Sequence, residues 1–350
     1  MPPTLPPGYH LIYYPLQVPP HLLFPDGTDA DHCPGTPFTR RMWAGGRIEF
    51  GKSATEKFRV DGRKTVCVET IGRDQQPPTM QVGNDGKEQE QRVWVDVWRR
   101  YEAFAPGEET TATTTEQQQP SKTSTEKGEE QEEGIISELR RLVFLRERDP
   151  PSSQKLEPPP ARTIKVPHSP DFAFTLTPDA TLLFQFSALT FNAHAIHLDP
   201  LYAREVEGYK ERLVHGPLTL VIMLSAAQGF VRGATTGGGA DVTKFAAADA
   251  HPETQISDAI KERLSVPDEV STGDTSEKRW EIASIDYKNL RPLFVGEEMK
   301  VCIRLLPNRE KKRGDDEVGL DRGHRERVDV WIEAPDGGLA VKGTVGIEWR

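Results

Sequence analysis

Cysteine is scarce in this chain: Cys33, Cys67 and Cys302 are spread over 350 residues. No two of them share a metal-ligand spacing, so the sequence offers neither a disulfide framework nor a zinc motif, and a reducing compartment is the natural setting. Long hydrophobic runs are missing too, since no window reaches the roughly eighteen consecutive apolar residues that read as a membrane span. A basic surplus is also absent. The net charge is -10, and general binding to nucleic-acid phosphates, which needs a basic face, is not expected. Much of that charge is local, because residues 105–134 carry eight Glu against two Lys and leave -4 for the remainder. The N-terminus, MPPTLPPGYHLIYYPL, has neither the basic-then-apolar order of a secretory signal nor the Arg/Ser-rich amphipathic pattern of a mitochondrial presequence. The first half also shows no long apolar helix at 3.6 spacing, so it reads as an incomplete layer that needs the second half.

The length suggests two domains. Residues 2–37 are punctuated by proline, carry an aromatic patch at Tyr9, Tyr13 and Tyr14, and turn at Pro25-Asp26-Gly27, as an extended arm over a core would. Residues 38–50, FTRRMWAGGRIEF, read as a strand with a bulge at Gly45-Gly46. Residues 56–71 and 92–104 alternate as strands do. The Thr, Gln, Glu and Lys tract at 105–134 holds no large apolar residue and is expected to be disordered. Residues 135–148, IISELRRLVFLRER, fit either a helix or a strand, and the Pro-rich stretch at 150–160 reads as a linker. This gives an N-terminal half at 1–104 on the substrate side, a connection at 135–170, and a C-terminal catalytic half at 171–350 with an insertion at 231–278.

In the second half, Phe172, Phe174 and Leu176 alternate, then Leu182, Phe184 and Phe186, and both runs are expected to be strands. A short helix follows from Asp199-Pro200 to Glu207, ended by Gly208. A buried helix then runs from Gly216, with Pro217 in its first turn and Gly229 near its end. A helical pattern recurs around Ile256 to Leu264. Four strands close the chain near 280–287, 299–306, 328–333 and 339–349, the last two joined by a Pro335-Asp336-Gly337-Gly338 hairpin turn. Trp43, Trp94 and Trp331 sit at strand spacing and are expected in the core.

The chemistry concentrates in residues 186–224, FSALTFNAHAIHLDPLYAREVEGYKERLVHGPLTLVIML, which hold three of the nine histidines. His194 and His197 follow Asn192 in a segment that is otherwise apolar, and His215 stands with Gly216 at the mouth of the buried helix. Imidazoles facing a helix N-terminus are suited to moving protons beside a polarised carbonyl.

That stretch, together with YKNLRPLFVGEEMKV, WIEAPDGGLAVKGTV, PPGYHLIYYPL and RRMWAGGRIEF, resembles the MaoC-like double-hotdog hydratases and dehydratases, and is similar to their fungal mitochondrial hydroxyacyl-thioester dehydratase type 2 and bacterial mesaconyl-C4-CoA hydratase branches. The resemblance implies an α+β double hotdog, an antiparallel sheet wrapped around a central helix, with the helix of the N-terminal hotdog lacking here. It further implies a hydro-lyase that dehydrates 3-hydroxyacyl thioesters, or hydrates 2-enoyl thioesters, as in mitochondrial fatty acid synthesis. Mesaconyl-type hydration of short dicarboxylic acyl-CoAs and non-catalytic thioester binding are the alternatives. The substrate would ride on CoA or on the phosphopantetheine of an acyl carrier protein, with no other cofactor and no metal. The chain would act as a monomer or homodimer, at a mitochondrial address.

The family's D-x-N-P-x-H motif, aligned on His197, places Asn192 at the aspartate, His194 at the asparagine and Ala195 at the proline. An amide cannot accept a proton, so Asn192 can orient water or a substrate hydroxyl, and the acid/base role falls to His197. The Gly216 amide is the implied oxyanion donor, with His194 and His215 lining the site. Arg40, Arg41 and Arg291 are candidates for the carrier's phosphates, or else form surface salt bridges.

Overall fold

A computed structural model describes residues 3–72, 79–81, 92–104, 135–147, 163–166, 168–236, 256–265, 279–307 and 325–350. The acidic tract at 105–134 and the proline-rich stretch at 150–160 fall outside the described residues, and so does most of the expected insertion.

The strands are β1 (Arg40–Phe50), β2 (Thr65–Ile71), β3 (Thr79–Gln81), β4 (Arg92–Ala103) and β5 (Ile135–Leu145) in the first half. The second half supplies β6 (Phe172–Leu176), β7 (Trp280–Asn289), β8 (Met299–Leu305), β9 (Arg325–Glu333) and β10 (Leu339–Trp349). All join one antiparallel sheet in the order β2-β4-β5-β1-β7-β10-β9-β8-β6, with β3 on β4. The halves meet where β1 pairs with β7, from Gly45 opposite Lys288 to Glu49 opposite Ser284. The expected bulge in β1 lies between Trp43 and Gly45, and Gly45 takes a φ of +147°. The hairpin between β9 and β10 turns at Gly337, with a φ of +71°.

Residues 135–148, which fit two readings, form a strand. β5 is paired on both sides, to β1 and to β4, so its backbone groups are satisfied across the sheet. The second alternating run is corrected: Leu182, Phe184 and Phe186 belong to a helix, Ala180–Thr190. The side chain of Asp179 accepts from the Leu182 N–H at 2.7 Å and caps its first turn. Leu183, Phe186 and Ser187 then face inward at helical spacing, while Phe184 is exposed.

The described α-helices are α1 (His10–Tyr13), α2 (Ala54–Lys57), α3 (Ala180–Thr190), α4 (Ala195–Leu198), α5 (Gly216–Thr236) and α6 (Asp258–Arg263), and the short helix expected from Asp199-Pro200 to Glu207 takes π-helical form over Tyr202–Val206. α5 is the centre of the fold, packing on β1, β7, β8, β9 and β10. It does not stop near Gly229 as expected but runs on through Gly229 and Gly233, both buried, to Thr236. Its length and composition would suit a membrane span, yet it is mostly buried here. Each fully enclosed Leu, Ile, Met or Phe on it contributes roughly 1.5–3 kcal/mol. Among the described residues the first half has only the one-turn helices α1 and α2 and a 3-10 turn at Pro20–Leu22, so the described double hotdog holds one central helix, and the N-terminal arm lays Leu11 into the core beside it. Of the three tryptophans expected inside, Trp331 is buried, whereas Trp43 and Trp94 are half-buried and line cavities.

Candidate active site

The chain leaves α3 through Phe191, whose φ of 51° is left-handed, and this turn throws residues 192–194 across the mouth of α5. Asn192 Oδ1 accepts from the His194 N–H at 3.1 Å, closing a local turn. One lone pair of the amide oxygen is therefore engaged with the backbone, and the NH₂ remains to face a ligand. One turn of helix, α4, then presents His197. The N-terminal arm is fastened alongside, for Ala195 N–H donates to the Asp26 carbonyl at 2.8 Å. Gly27, with a φ of +80°, is required there: a Cβ on it would stand 2.1 Å from the Ala193 oxygen.

His197 Nδ1 lies 2.8 Å from the Leu213 carbonyl oxygen. A carbonyl can only accept, so Nδ1 carries the proton and Nε2 the lone pair. Leu213 is itself held, its N–H donating to the Ile196 carbonyl at 3.0 Å. Burial pushes His197 down to about 4, against the opposing pull of the Leu213 bond and with the Arg41 charge lowering it further. The imidazole is thus a neutral base across the physiological range.

His194 and His197 meet edge to face, with ring centroids 5.6 Å apart, and His194 Nε2 stands 3.8 Å from Asp26 Oδ2. Burial, then the neighbouring imidazole, holds His194 well below the usual histidine range. His215 was expected to line the site, and it does not. It is fully buried behind His197, stacked at 3.7 Å, and lies outside the cavity wall. Gly216 opens α5, where the first N–H groups have no acceptor within the helix. A Cβ there would come within 2.8 Å of Asn289 Nδ2 and 3.1 Å of Trp43 Cβ, so the backbone approaches β1 and β7 closely.

Asn192, His194, His197 and Gly216 share the wall of one cavity of about 450 Å³, within the range of small-molecule sites. Arg41 and Arg291 also line it, tied to Asp29 Oδ2 at 2.8 Å and to Asp336 Oδ2 at 2.9 Å. Arg40 takes the second of its two expected parts, a salt bridge. Its guanidinium forks onto buried Glu207, with Nε 3.0 Å and Nη2 2.6 Å from Oε2, joining β1 to the end of the π-helical segment Tyr202–Val206, and it lies outside the cavity wall.

The opposite wall holds residues that no sequence motif marked. Arg99 and Arg140 face the cavity from β4 and β5, so five arginines, counting Arg92, line it against one carboxylate, Asp29. Arg99 bonds Glu69 and gives Nη1 to the Tyr14 carbonyl at 3.1 Å. His32 bridges Glu69 Oε1 at 2.7 Å and Asp29 Oδ1 at 3.6 Å. Burial raises the Glu69 carboxyl, but His32 and Arg99 outweigh it and bring it down to about 2. Burial lowers His32, but the two carboxylates outweigh that and raise it.

These shifts fix an acid response. His10 and His197 are each brought down to about 4 by burial, and burial holds His194 and His215 low as well. Below the ordinary imidazole range the unfolded chain binds more protons than the native one, so stability is full above about pH 6.5 and falls toward pH 4, by up to about 1.4 kcal/mol per pH unit for each imidazole. His32, being raised, works in the opposite sense and is outnumbered. Urea unfolding is expected to show a lower midpoint at pH 5 than at pH 7, and an equal or higher one would contradict these four assignments.

Comparison with known proteins adds the ancestry. The family described as hydroxyacyl-thioester dehydratase type 2 matches residues 8–127 and 72–238. The mesaconyl-C(4)-CoA hydratase of Chloroflexus aurantiacus is 56% identical over 54 residues, 15% of this chain and 19% of the relative. The mitochondrial hydroxyacyl-thioester dehydratase type 2 of Schizosaccharomyces pombe is 26% identical over 227 residues, 63% of this chain and 66% of the relative. The chain thus matches less than two thirds of the length of either. A MaoC-like dehydratase from Phytophthora capsici aligns with a TM-score of 0.44 at 15% identity, covering 93% of this chain and 76% of that one.

Proposed function

We propose, since the chain belongs to the hydroxyacyl-thioester dehydratase type 2 family, that it interconverts 3-hydroxyacyl and 2-enoyl thioesters of CoA or acyl carrier protein, with His197 as acid and base. The observation that carries this reading is the Nδ1–H bond to Leu213, which leaves the Nε2 lone pair of a neutral imidazole in a cavity that also holds the start of α5. In the dehydration direction Nε2 takes the α-proton, and the C–H electron pair moves into the enolate. The thioester oxygen then carries charge, which the Gly216 N–H at the positive end of α5 stabilises. The carbonyl re-forms as Cα=Cβ closes and the β C–O bond breaks, and the departing hydroxide recovers the proton from His197 as water. The NH₂ of Asn192 orients that oxygen. Proton transfer and loss of water call for no redox group, and the carrier enters as part of the substrate.

Loss of 2-enoyl thioester absorbance on incubation with the protein tests the assignment. Failure of short, long and dicarboxylic enoyl-CoAs alike would leave a thioester-binding protein without catalysis. The mitochondrial name of the fission-yeast relative supports a mitochondrial address for this chain as well.

A second reading is favoured by the arginines. Of the four cavity arginines held in ion pairs among the described residues, Arg99 and Arg140 are the most enclosed, at 5% and 13% side-chain exposure against 19% for Arg41 and Arg291. Each is already paired, Arg99 with Glu69 and Arg140 with Glu138, so a substrate chain that ends in a carboxylate would be met by the guanidinium nitrogens these bonds leave over, Arg99 Nη2 and Arg140 Nη1. A short dicarboxylic enoyl-CoA is accordingly expected to exceed the monocarboxylate of equal length by about tenfold or more in kcat/KM, the worth of one charge-assisted hydrogen bond. A preference for long apolar chains would reject this reading and leave the first in place.

A further inference from the structure

We propose that His215 is a positioning residue for His197, holding the catalytic imidazole in one orientation through a stacked contact that Ser187 fixes from behind. The inference rests on His197 acting as the acid and base. The two rings lie 3.7 Å apart between centroids and 23° from parallel. Ser187 Oγ, on the inner face of α3, stands 2.8 Å from His215 Nε2, and the Phe186 ring leans on the same imidazole at 5.1 Å. His215 has no exposed surface. It cannot reach a thioester, so any influence on the reaction passes through His197.

The clamp has two arms. Leu213, two residues before His215, accepts the His197 Nδ1 proton, while His215 itself supports the face of the ring. One short segment therefore sets both the tautomer and the tilt of the base, and α3 anchors that segment through Ser187. His215 Nδ1 is buried with no hydrogen-bond partner. A bare N–H is the rarer orphan in protein interiors. The lone pair is accordingly at Nδ1, and Nε2–H donates to Ser187. With its only proton engaged, His215 does not relay protons.

Its neutrality also shapes the cycle. The other groups facing the pair are His194, edge-on to His197, Asp26 beside His194, and Arg41 with its partner Asp29. A proton gained by His197 meets a neutral ring behind it and the Arg41 charge nearby, so it is poorly retained and passes readily to the departing hydroxide.

Three variants test the proposal: His215→Ala, His215→Phe and Ser187→Ala. His215→Ala is expected to lower kcat by about 100-fold with KM changed less than about twofold, the cost of a misplaced catalytic group. His215→Phe restores a stacking face and is expected to recover about tenfold of that loss, and Ser187→Ala to lower kcat by about fivefold, the worth of one hydrogen bond. Nitrogen-15 spectra of the His197 imidazole supply a readout independent of turnover. The native protein should show the single Nδ1-protonated form, and His215→Ala a mixture of tautomers that titrates closer to the ordinary imidazole range. If His215→Ala fails to fold, the phenylalanine and serine variants carry the same comparison. Native kcat in folded His215→Ala, or an unchanged His197 spectrum, would overturn the positioning role. A native protein without turnover whose His197 spectrum still responds to His215→Ala would instead refute the catalytic assignment and sustain the clamp.

Discussion

His197→Ala is expected to lower kcat for enoyl-thioester hydration by about 10²- to 10⁴-fold, the usual worth of a positioned general acid and base. The fold should survive. The substitution removes one hydrogen bond, to the Leu213 carbonyl, whose net contribution is about 1 kcal/mol. KM should move little, because the imidazole is asked to act on charge that develops only as the α-proton leaves. Neither Asn192 nor His215 can take its place: Asn192 is an amide and no proton acceptor, and His215 is sealed behind the ring. Retention of more than about a tenth of native kcat would transfer the role to His194, the other imidazole in the cavity wall. The variant also gives the reference for His215→Ala, since removing a positioning group in addition to the base it positions should cost almost nothing further.

The largest effect on stability is expected at Glu138. This carboxylate on β5 is fully buried, accepts from Arg140 Nε at 2.8 Å and Arg140 Nη2 at 2.9 Å, and receives the Tyr101 hydroxyl. His10 lies 3.8 Å away and, with burial bringing it down to about 4, is neutral. Burial raises the Glu138 carboxyl, but the Arg140 charge and the hydrogen bonds outweigh it and hold it below its usual range. The pair is therefore ionised, and among the described residues no other carboxylate forms an ion pair with Arg140.

Glu138→Ala leaves that guanidinium uncompensated beside Trp43, whose ring it faces at 5.1 Å, and should destabilise the protein by about 3–5 kcal/mol. For a chain of this size that lowers Tm by roughly 6–20 °C. Glu138→Gln keeps shape and an acceptor and should fall between, while Tyr101→Phe removes a single bond and should cost about 1 kcal/mol. Thermal unfolding of the three variants separates the cases. A loss below about 1 kcal/mol for Glu138→Ala would mean that water reaches Arg140 freely.

Much of the fold could be read along the chain because strand alternation and turn chemistry are local. The bulge at Gly45, the hairpin at Gly337 and the apolar run that becomes α5 were each signalled by residues within a few positions of one another. The error at 180–190 has the same origin. Leu182, Phe184 and Phe186 alternate, but Leu183 and Phe186 are the buried pair, and the Asp179 cap outweighed the period-two pattern. β4 and β5 did carry a signal for the far wall of the cavity: Arg99 follows Val93, Val95 and Val97 in the inward phase, and Glu138 sits in phase with Ile136. A charge in the apolar phase of a strand is costly to bury, and marks either a neutralised pair or a ligand site.

The sequence by itself determined the α+β double hotdog, the family and the short segment that bears His197, since all three depend on motifs that are contiguous in the chain. Where each group in that segment points depends on the packing of distant elements. Asn192 turned inward to its own backbone, Arg40 was taken by Glu207, and His215 was placed behind the base rather than beside the substrate. That packing also brought Arg99 and Arg140 from the first half to face His197 across one cavity. Local spacing fixes which residues are neighbours along a strand or helix. Partners 28 residues apart, as Ser187 and His215 are, or 167 apart, as Arg40 and Glu207 are, are chosen by how the sheet closes around α5.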